Sequence, residues 1–344
     1  MEQRRLGRTG IEVGIIGLGT EHLPRDRQVM DRVLGMAAEA GASYMDLLYV
    51  DAGYWEAFGD LYGARRDKIV AAAHWNSAEC HDADESEKSF DNVLAHLGEH
   101  AEVGLITMVD TMEGWDGWAQ RSLERLIRYR EQGRIDAIGL SGHVPDVALK
   151  AVEGGQIDVL MFPVNLLGRN EPAEIALRRA CAERGVGLVA MKAYHGGMLL
   201  RANDQPTGIT TNQCLSYVFS LPMVSTAVPG PRSVEEWAAT LGYLQSSDEE
   251  RAYGPVSARL REILKGQCVL CFHCMPCPQE IEIPWVIQHV DWARKGVTEE
   301  LRKGYAGFTV KASACTDCGL CEERCPYDVA IMDKMHRAMA LYGS

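Results

Sequence analysis

The chain has no apolar run of 18 residues or more, which excludes a membrane-spanning helix from the reading. Its opening, MEQRRLGRTGIEV, lacks the continuous apolar core of a secretory leader, so the expectation is a cytoplasmic protein with no membrane partner. Positive charge is in the minority. Against 48 Asp and Glu stand 35 Lys and Arg, for a net charge of −13, and no Lys/Arg stripe of the kind that neutralises phosphates is present, which excludes nucleic acid as a partner. Low-complexity tracts are absent too. What is present suits a folded protein: 47% hydrophobic and 24% charged residues are enough to bury a core. The 344 residues accommodate one large domain, which stops growing near about 250 residues, and a smaller one.

After a Gly-punctuated opening that predicts a hairpin over 4–13, apolar runs of strand length alternate with amphipathic runs of helix length. Strands are expected at 14–19, 43–48, 68–73, 103–108, 135–140, 157–162, 186–191 and 224–229. Helices are expected at 26–40, 85–98, 115–132, 172–184, 211–221 and 233–245, several entered by Asp, Glu, Thr or Ser and some left by Gly. Strands alternating with helices read as βαβ units, and eight of them in this length fit an α/β fold closed as a (β/α)₈ TIM barrel. An open doubly wound sheet is the competitor, but GLGTEH at 17–22 lacks the G-x-G-x-x-G spacing of a dinucleotide turn. The expected organisation is a barrel over 1–245, a helical connector over 246–262, and a small α-rich ferredoxin-like domain over 263–344.

Of eleven cysteines, Cys80, Cys181 and Cys214 are scattered and eight fall in two runs. Without an export signal, such runs indicate metal rather than disulfides. Cys268, Cys271, Cys274 and Cys277 are spaced C-x2-C-x2-C-x2-C and followed by Pro278; Cys315, Cys318, Cys321 and Cys325 are spaced C-x2-C-x2-C-x3-C and followed by Pro326. Three cysteines two residues apart put three thiolates on one cubane, and the fourth, turned away before its proline, ligates the other cluster. Two [4Fe–4S] clusters are therefore expected, one on Cys268, Cys271, Cys274 and Cys325, the other on Cys315, Cys318, Cys321 and Cys277. Zinc is the alternative, but zinc modules pair separated C-x2-C knuckles rather than running three in succession. Such clusters serve one-electron transfer unless they are purely structural.

In a (β/α)₈ barrel the chemistry lies past the C-terminal ends of the strands. The polar residues there are Glu21 and His22, Asp46 with Tyr49 and Asp51, His74 and Asn76, Asp110, Ser141 and His143, Asn165, and Lys192 with Tyr194 and His195. For any one of them a solvated loop residue is the competing reading. His74, His143 and a carboxylate such as Glu21 or Asp46 also make a candidate two-His-one-carboxylate metal site. Trp115 and Trp118, three apart on a helix, read as packing.

Several segments carry a family resemblance: RRLGRTGIEV near the start, FGDLYGARRDKIV (58–70), IGLSGH (138–143), IDVLMFPVN (157–165), GVGLVAMK (185–192), VPGPRS (228–233) and QCVLCFHCMPCPQEIEIP (267–284). Over essentially its whole length the chain resembles the aldo/keto reductases, specifically the subgroup with a C-terminal 4Fe–4S ferredoxin-type domain. The resemblance implies a catalytic tetrad of tyrosine, lysine, aspartate and histidine. Only the aspartate is kept, as Asp46. Asp51 falls at the tyrosine position, His74 at the lysine position, and Val109 or Met108 at the histidine position. Tyr49 and Tyr54 are the nearby phenols that could replace the donor, and His74 is a candidate general acid or base beside Asp46. The nicotinamide contacts implied by the family read Ser141-Gly142, Met161 and Val164 here, and the adenine-side pair reads Ala239 and Thr240. Gly230 and Arg232 keep the look of a phosphate cradle, and Lys192 is a binding candidate in an MKxxxGG segment.

The function expected is an iron–sulfur oxidoreductase acting on a small molecule in the barrel, with electrons supplied by a ferredoxin, a flavodoxin or another electron-transfer protein. Three alternatives stay open: an NAD(P)H-dependent carbonyl or aldehyde reductase with a changed proton donor, a non-redox lyase, dehydratase or isomerase using His74 and Asp46, and an electron-transfer subunit whose barrel is vestigial.

Overall fold

The computed structural model describes residues 1–48, 50–75, 83–168, 171–202 and 205–343. Eight parallel strands follow one another around a barrel: β1 (Leu18–Gly19), β2 (Tyr44–Leu47), β3 (Val70–Trp75), β4 (Ala101–Ile106), β5 (Ile135–Ser141), β6 (Val159–Pro163), β7 (Gly187–Met191) and β8 (Val224–Ala227). The ring closes between its first and last segments, where Gly17 N–H donates to the Ala227 carbonyl at 2.7 Å and Ala227 N–H to Ile15 at 2.9 Å. The strand runs are nearly continuously apolar because each is covered on both faces, by the barrel interior and by helices.

Those helices are α1 (Arg27–Ala40), α2 (Ala52–Gly63), α3 (Ala83–His96), α4 (Gln120–Glu131), α5 (Pro145–Gly154), α6 (Pro172–Arg184), α7 (Thr211–Phe219) and α8 (Val234–Leu241). Local chemistry sets their ends. The Asp26 carboxylate accepts the Gln28 and Val29 N–H groups at the start of α1, and Thr210 and Gln213 form a reciprocal capping box on α7. Gly41, Gly155 and Gly185 end α1, α5 and α6 in the left-handed conformation that stops a helix. α2 and α5 go beyond the helices expected from periodicity; α2 runs unbroken through Gly53 and Gly59 to Gly63, while α5 starts on a proline whose missing N–H costs nothing at a first turn.

Inside the barrel Leu6, Tyr44, Val103, Leu105, Met161 and Val189 are buried together. Each large apolar side chain there contributes about 2 kcal/mol. Leu6 and Val13 come from an N-terminal hairpin (Gln3–Arg5 paired with Glu12–Gly14), as expected, that seals the end opposite the strand C-termini. Gly7 at its turn has φ 56°, and a methyl there would lie 2.2 Å from the Gly187 nitrogen, so only glycine fits.

The chain divides into two compact units. One contains Met1–Gly196 and Thr210–Tyr253. The other contains Gly197–Ile209, with a small hairpin (Arg201–Ala202 and Gln205–Pro206), and the chain from Gly254 onward. The break thus falls at 253/254, within the stretch read as a connector, and a segment after β7 belongs to the second unit. In that unit α9 (Ile283–Trp292), α10 (Glu299–Ala306) and α11 (Ile331–Tyr342) carry the apolar residues Ile283, Val286, Ile287, Val290, Ile331 and Met335, and Tyr305 stacks on Tyr342 with centroids 4.4 Å apart. Among the described residues no helix is long and apolar enough to cross a membrane.

Candidate functional site

At the C-terminal ends of β2, β3 and β4, three side chains from adjacent strands meet. Asp46 and His74 point inward, each two residues past a small or aromatic core residue of the same face, as strand alternation dictates. The His74 Nε2 lies 2.6 Å from Asp46 Oδ1, and its Nδ1 lies 3.0 Å from the Thr107 hydroxyl, in the first residue past β4. All three are buried, His74 at 3% exposed, Asp46 at 7% and Thr107 at 3%. Thr20 fixes the strand beneath by donating its hydroxyl to the Asp46 carbonyl at 2.8 Å. The neighbour of His74 on this strand end is Thr107, a residue not singled out in the sequence; Met108 and Val109, read at the family's histidine position, follow it in the next turn. The only sequence signal for Thr107 is that it is the one polar residue in the run VGLITM.

The turn that follows Thr107 is pinned by Ser141. Met108 adopts a left-handed φ of 53°, its N–H donating to Ser141 Oγ at 2.9 Å, while the Val109 N–H donates to the Ser141 carbonyl at 2.9 Å. A non-glycine residue held there costs on the order of 1–3 kcal/mol, which the Ser141 contacts offset. The hydroxyl of Ser141, expected at a cofactor amide, accepts a bond from this loop.

Asp110 and His143 form a second pair. The Asp110 carboxylate accepts the His143 backbone N–H at 2.5 Å and faces its Nδ1 at 2.9 Å. Burial pushes the Asp110 carboxyl up, but the bonds and charge of His143 and the charge of Lys192 together hold it below the usual carboxylate range. Gly142 between them is needed, since a methyl there would meet the Val109 carbonyl oxygen at 2.8 Å. Lys192 itself has a left-handed φ of 56°, and Asn165 donates to its carbonyl at 3.2 Å. Desolvation lowers its ammonium below the ordinary lysine value, opposed by the negative charges of Glu21 and Asp110. Tyr194, close by in sequence, bonds Thr240 at 3.2 Å, and His195 faces Asn165 at 3.4 Å.

Other expected residues lie elsewhere. Asp51 is the N-cap of α2, accepting the Tyr54 N–H at 2.7 Å and pairing with Arg25 at 2.9 Å, so its carboxylate is engaged in holding a helix. The Tyr54 hydroxyl is buried against Tyr62 and Met30, and desolvation pushes it up to about 12, which removes it as a mobile phenol at the rim. Tyr49 and Asn76 lie outside the described residues. Trp115 is buried and Trp118 half-buried, as packing. His74, with both ring nitrogens engaged, and His143, paired to Asp110, are not brought together as ligands of one ion; among the described residues no three His, Cys, Asp or Glu side chains gather that way. The Tyr44 hydroxyl, wholly buried inside the barrel two residues before Asp46, has no hydrogen-bond partner among the described residues.

Gly230 lies beside His22, and Arg232 is exposed at the entrance to α8. The Arg232 backbone N–H donates to Glu236 Oε2 at 2.7 Å, and Glu235 and Glu236 occupy the first helical turn. A phosphate there would meet two carboxylates and find that N–H taken. The two carboxylates weaken the anion preference of this helix start, beside the exposed Arg232 side chain.

In the second unit Cys268, Cys271, Cys274 and Cys325 line one cavity, and Cys277, Cys315, Cys318 and Cys321 line another. Left-handed residues between cysteines, Leu270, Phe272, Asp317 and Gly319, coil each run so that three thiols face one cavity. Backbone N–H groups of Leu270 and Asp317 point at the Cys268 and Cys315 sulfurs. Arg324 bridges the runs, donating to the Met275 and Pro276 carbonyls at 2.9 and 3.0 Å. Burial pushes the Cys268 thiol up to about 11 and Cys274 to about 12, so thiolates there need a cation to offset their desolvation. Four sulfurs around each cavity, three from one tight run and one from the other, suit a multi-atom cluster.

Residues 11–213 match the aldo/keto reductase family, and residues 267–330 match a 4Fe-4S dicluster domain. An aldo-keto reductase from Bacillus halodurans, solved in its holo form, aligns with a TM-score of 0.61 over 75% of this chain and 96% of its own, at 20% identity, a likeness of fold. A D-threo-aldose 1-dehydrogenase from a Pseudomonas species is 29% identical over 83 residues, which span 24% of this chain and 25% of that enzyme.

Proposed function

The chain belongs to the aldo/keto reductase family, and on that premise we propose that it is an iron–sulfur oxidoreductase, acting on a small molecule at the barrel mouth with electrons exchanged singly through two [4Fe–4S] clusters. An oxidoreductase is what the family fold and the dicluster domain together suggest. The observation that carries the finer reading is the sorting of eight cysteines into two fours, each three from one run and one from the other. Cys268, Cys271, Cys274 and Cys325 would hold one cluster, and Cys277, Cys315, Cys318 and Cys321 the other. When bound, such clusters supply one-electron transfer.

The barrel residues would then handle binding and protons. Lys192 sets a positive charge beside Glu21 and Asp110, suited to orient a polar or anionic ligand. Asp46, His74 and Thr107 offer a buried hydrogen-bonded set for proton transfer. The short match to an aldose dehydrogenase makes small hydroxyaldehydes sensible first probes. NAD(P)H as the electron source is disfavoured by the Glu236 carboxylate on the Arg232 N–H. A ferredoxin or flavodoxin in the cytoplasm would fill that role. A second reading, proton transfer without net redox change, is favoured by the Asp46–His74 pair, which needs no electrons to work.

One assay separates them. The anaerobic holoprotein is given glyceraldehyde with reduced methyl viologen, with NADPH, or with no donor. Viologen-dependent consumption of glyceraldehyde is the expected result. NADPH-dependent consumption restores the hydride reductase, and consumption without any donor moves the chain to the lyase or isomerase class.

A further inference from the structure

The potential of a [4Fe–4S] cluster on cysteines follows from the hydrogen bonds to its sulfurs, its exposure to water and the net charge around it. In the first two respects the two cysteine sites of this chain are much alike. Each leaves the second cysteine of its run exposed, Cys271 or Cys318. Each aims a backbone N–H at its first sulfur, Leu270 at Cys268 and Asp317 at Cys315. Charge separates them. Among the described residues that line the two cavities, Arg324 is the one charged side chain, and it belongs to the cavity of Cys277, Cys315, Cys318 and Cys321. The cavity of Cys268, Cys271, Cys274 and Cys325 is walled by Phe272, Tyr327 and aliphatic side chains.

We propose that Arg324 makes the Cys277, Cys315, Cys318 and Cys321 site the stronger electron acceptor of the two, so that an electron entering this unit moves from the uncharged site to the charged one. The inference rests on the two-cluster reading above and gives that pair a direction.

The side chain is built into place. Its guanidinium donates to three carbonyls, Leu320 at 2.9 Å, Met275 at 2.9 Å and Pro276 at 3.0 Å. Neutral carbonyls hold the group without cancelling its charge, as a carboxylate partner would. Arg324 is also half-buried, so water screens it less than a surface cation. A positive charge beside a cluster stabilises the added electron and raises the potential; an apolar wall, which solvates the added charge poorly, lowers it. The Glu322 N–H, aimed at the Cys321 sulfur, adds to the effect of Arg324. Asp317 opposes it, 3.6 Å from the Cys315 sulfur. That carboxylate is half exposed and faces His336 Nε2 at 3.0 Å, so water and the imidazole weaken its field. The transfer balances: the uncharged site loses one electron, the Arg324 site gains it, and no proton moves. The external one-electron carrier replaces the electron lost.

The test reads potentials rather than turnover. An EPR-monitored redox titration of the anaerobic holoprotein is expected to give two one-electron midpoints. A tenfold preference for the Arg324 site corresponds to a separation of about 59 mV, and at least that is expected. Cys325→Ser, which leaves only the Arg324 site complete, should retain the higher midpoint. Arg324→Gln removes the charge and should bring the higher midpoint down toward the lower with iron still at about eight atoms per chain. Arg324→Lys keeps the charge and should hold the higher midpoint near its original value. Retention of the lower midpoint by Cys325→Ser, midpoints unmoved by Arg324→Gln, or an equal shift in the Gln and Lys variants overturns the proposal. So does a single midpoint in unsubstituted protein carrying about eight iron atoms, which leaves the two-cluster reading standing. About four iron atoms in the unsubstituted protein overturns that reading and the proposal with it.

Discussion

The reactive groups of the two units are assembled in opposite ways. In the second unit every cavity-lining cysteine comes from one of two short runs, and covalent spacing of two or three residues places three of each four sulfurs. In the barrel Asp46, His74 and Thr107 are separated by 28 and 33 residues and meet only because β2, β3 and β4 pair in register. The first kind of site survives small shifts of the surrounding fold, because the chain itself ties the ligands together. The second is lost if a strand end moves, so residues at and just past the strand ends, such as Ser141, Gly142 and Asn165, are committed to fixing the rim.

That contrast can be broken most visibly at the cysteines. Cys325→Ser is expected to drop iron from about eight to about four atoms per chain, and adding Cys268→Ser should drop it no further, since both serve the same four. Combining Cys268→Ser with Cys277→Ser should remove nearly all of it. Iron and sulfide analysis decides; equal losses in the two double variants contradict the crossed pairing.

On the barrel side Asp46→Asn keeps the shape but removes the charge facing His74 Nε2, and a loss of about 2 kcal/mol in denaturant unfolding of the barrel is expected. Cluster content should not change. Acid should act on the same unit through Asp110. Its carboxyl is held low in the folded state by His143 and Lys192, against burial. The stability this pair adds is therefore complete above the unfolded carboxylate value of about 4, and it is lost as pH falls through the lower folded value. Asp110→Asn should be less stable than the unsubstituted protein at pH 7, with the difference closing toward pH 3; a constant difference in urea midpoints refutes it.

Smaller effects test how tightly the rim is built. Ser141→Ala removes the acceptor of the Met108 N–H and should cost about 1 kcal/mol. Tyr44→Phe deletes a buried hydroxyl that has no partner among the described residues, so stability should rise by about 1 kcal/mol. A loss instead would mean that a water or ligand bridges Tyr44 to the site.

The same contrast governs what could be read in advance. The eight strands, the N-terminal hairpin and the barrel closure follow from alternation of apolar runs with amphipathic ones, a pattern repeated eight times. The cysteine spacing is equally local. Polar residues past strand ends could be named but not paired: nothing in the sequence says that Asp51 caps α2 while binding Arg25, that the Tyr54 hydroxyl turns to Tyr62, or that Glu236 folds back onto the Arg232 N–H. Thr107 was hidden for the same reason. Its partner lies 33 residues away, and one threonine at the end of an apolar run has no spacing to mark it.

The most direct test of the account is titration of NADPH, then NADH, into the anaerobic holoprotein in a calorimeter. No saturable heat from either is predicted, because the Arg232 N–H is occupied and the first turn of α8 is acidic. Saturable binding at one site per chain would contradict the account and return the barrel to hydride chemistry.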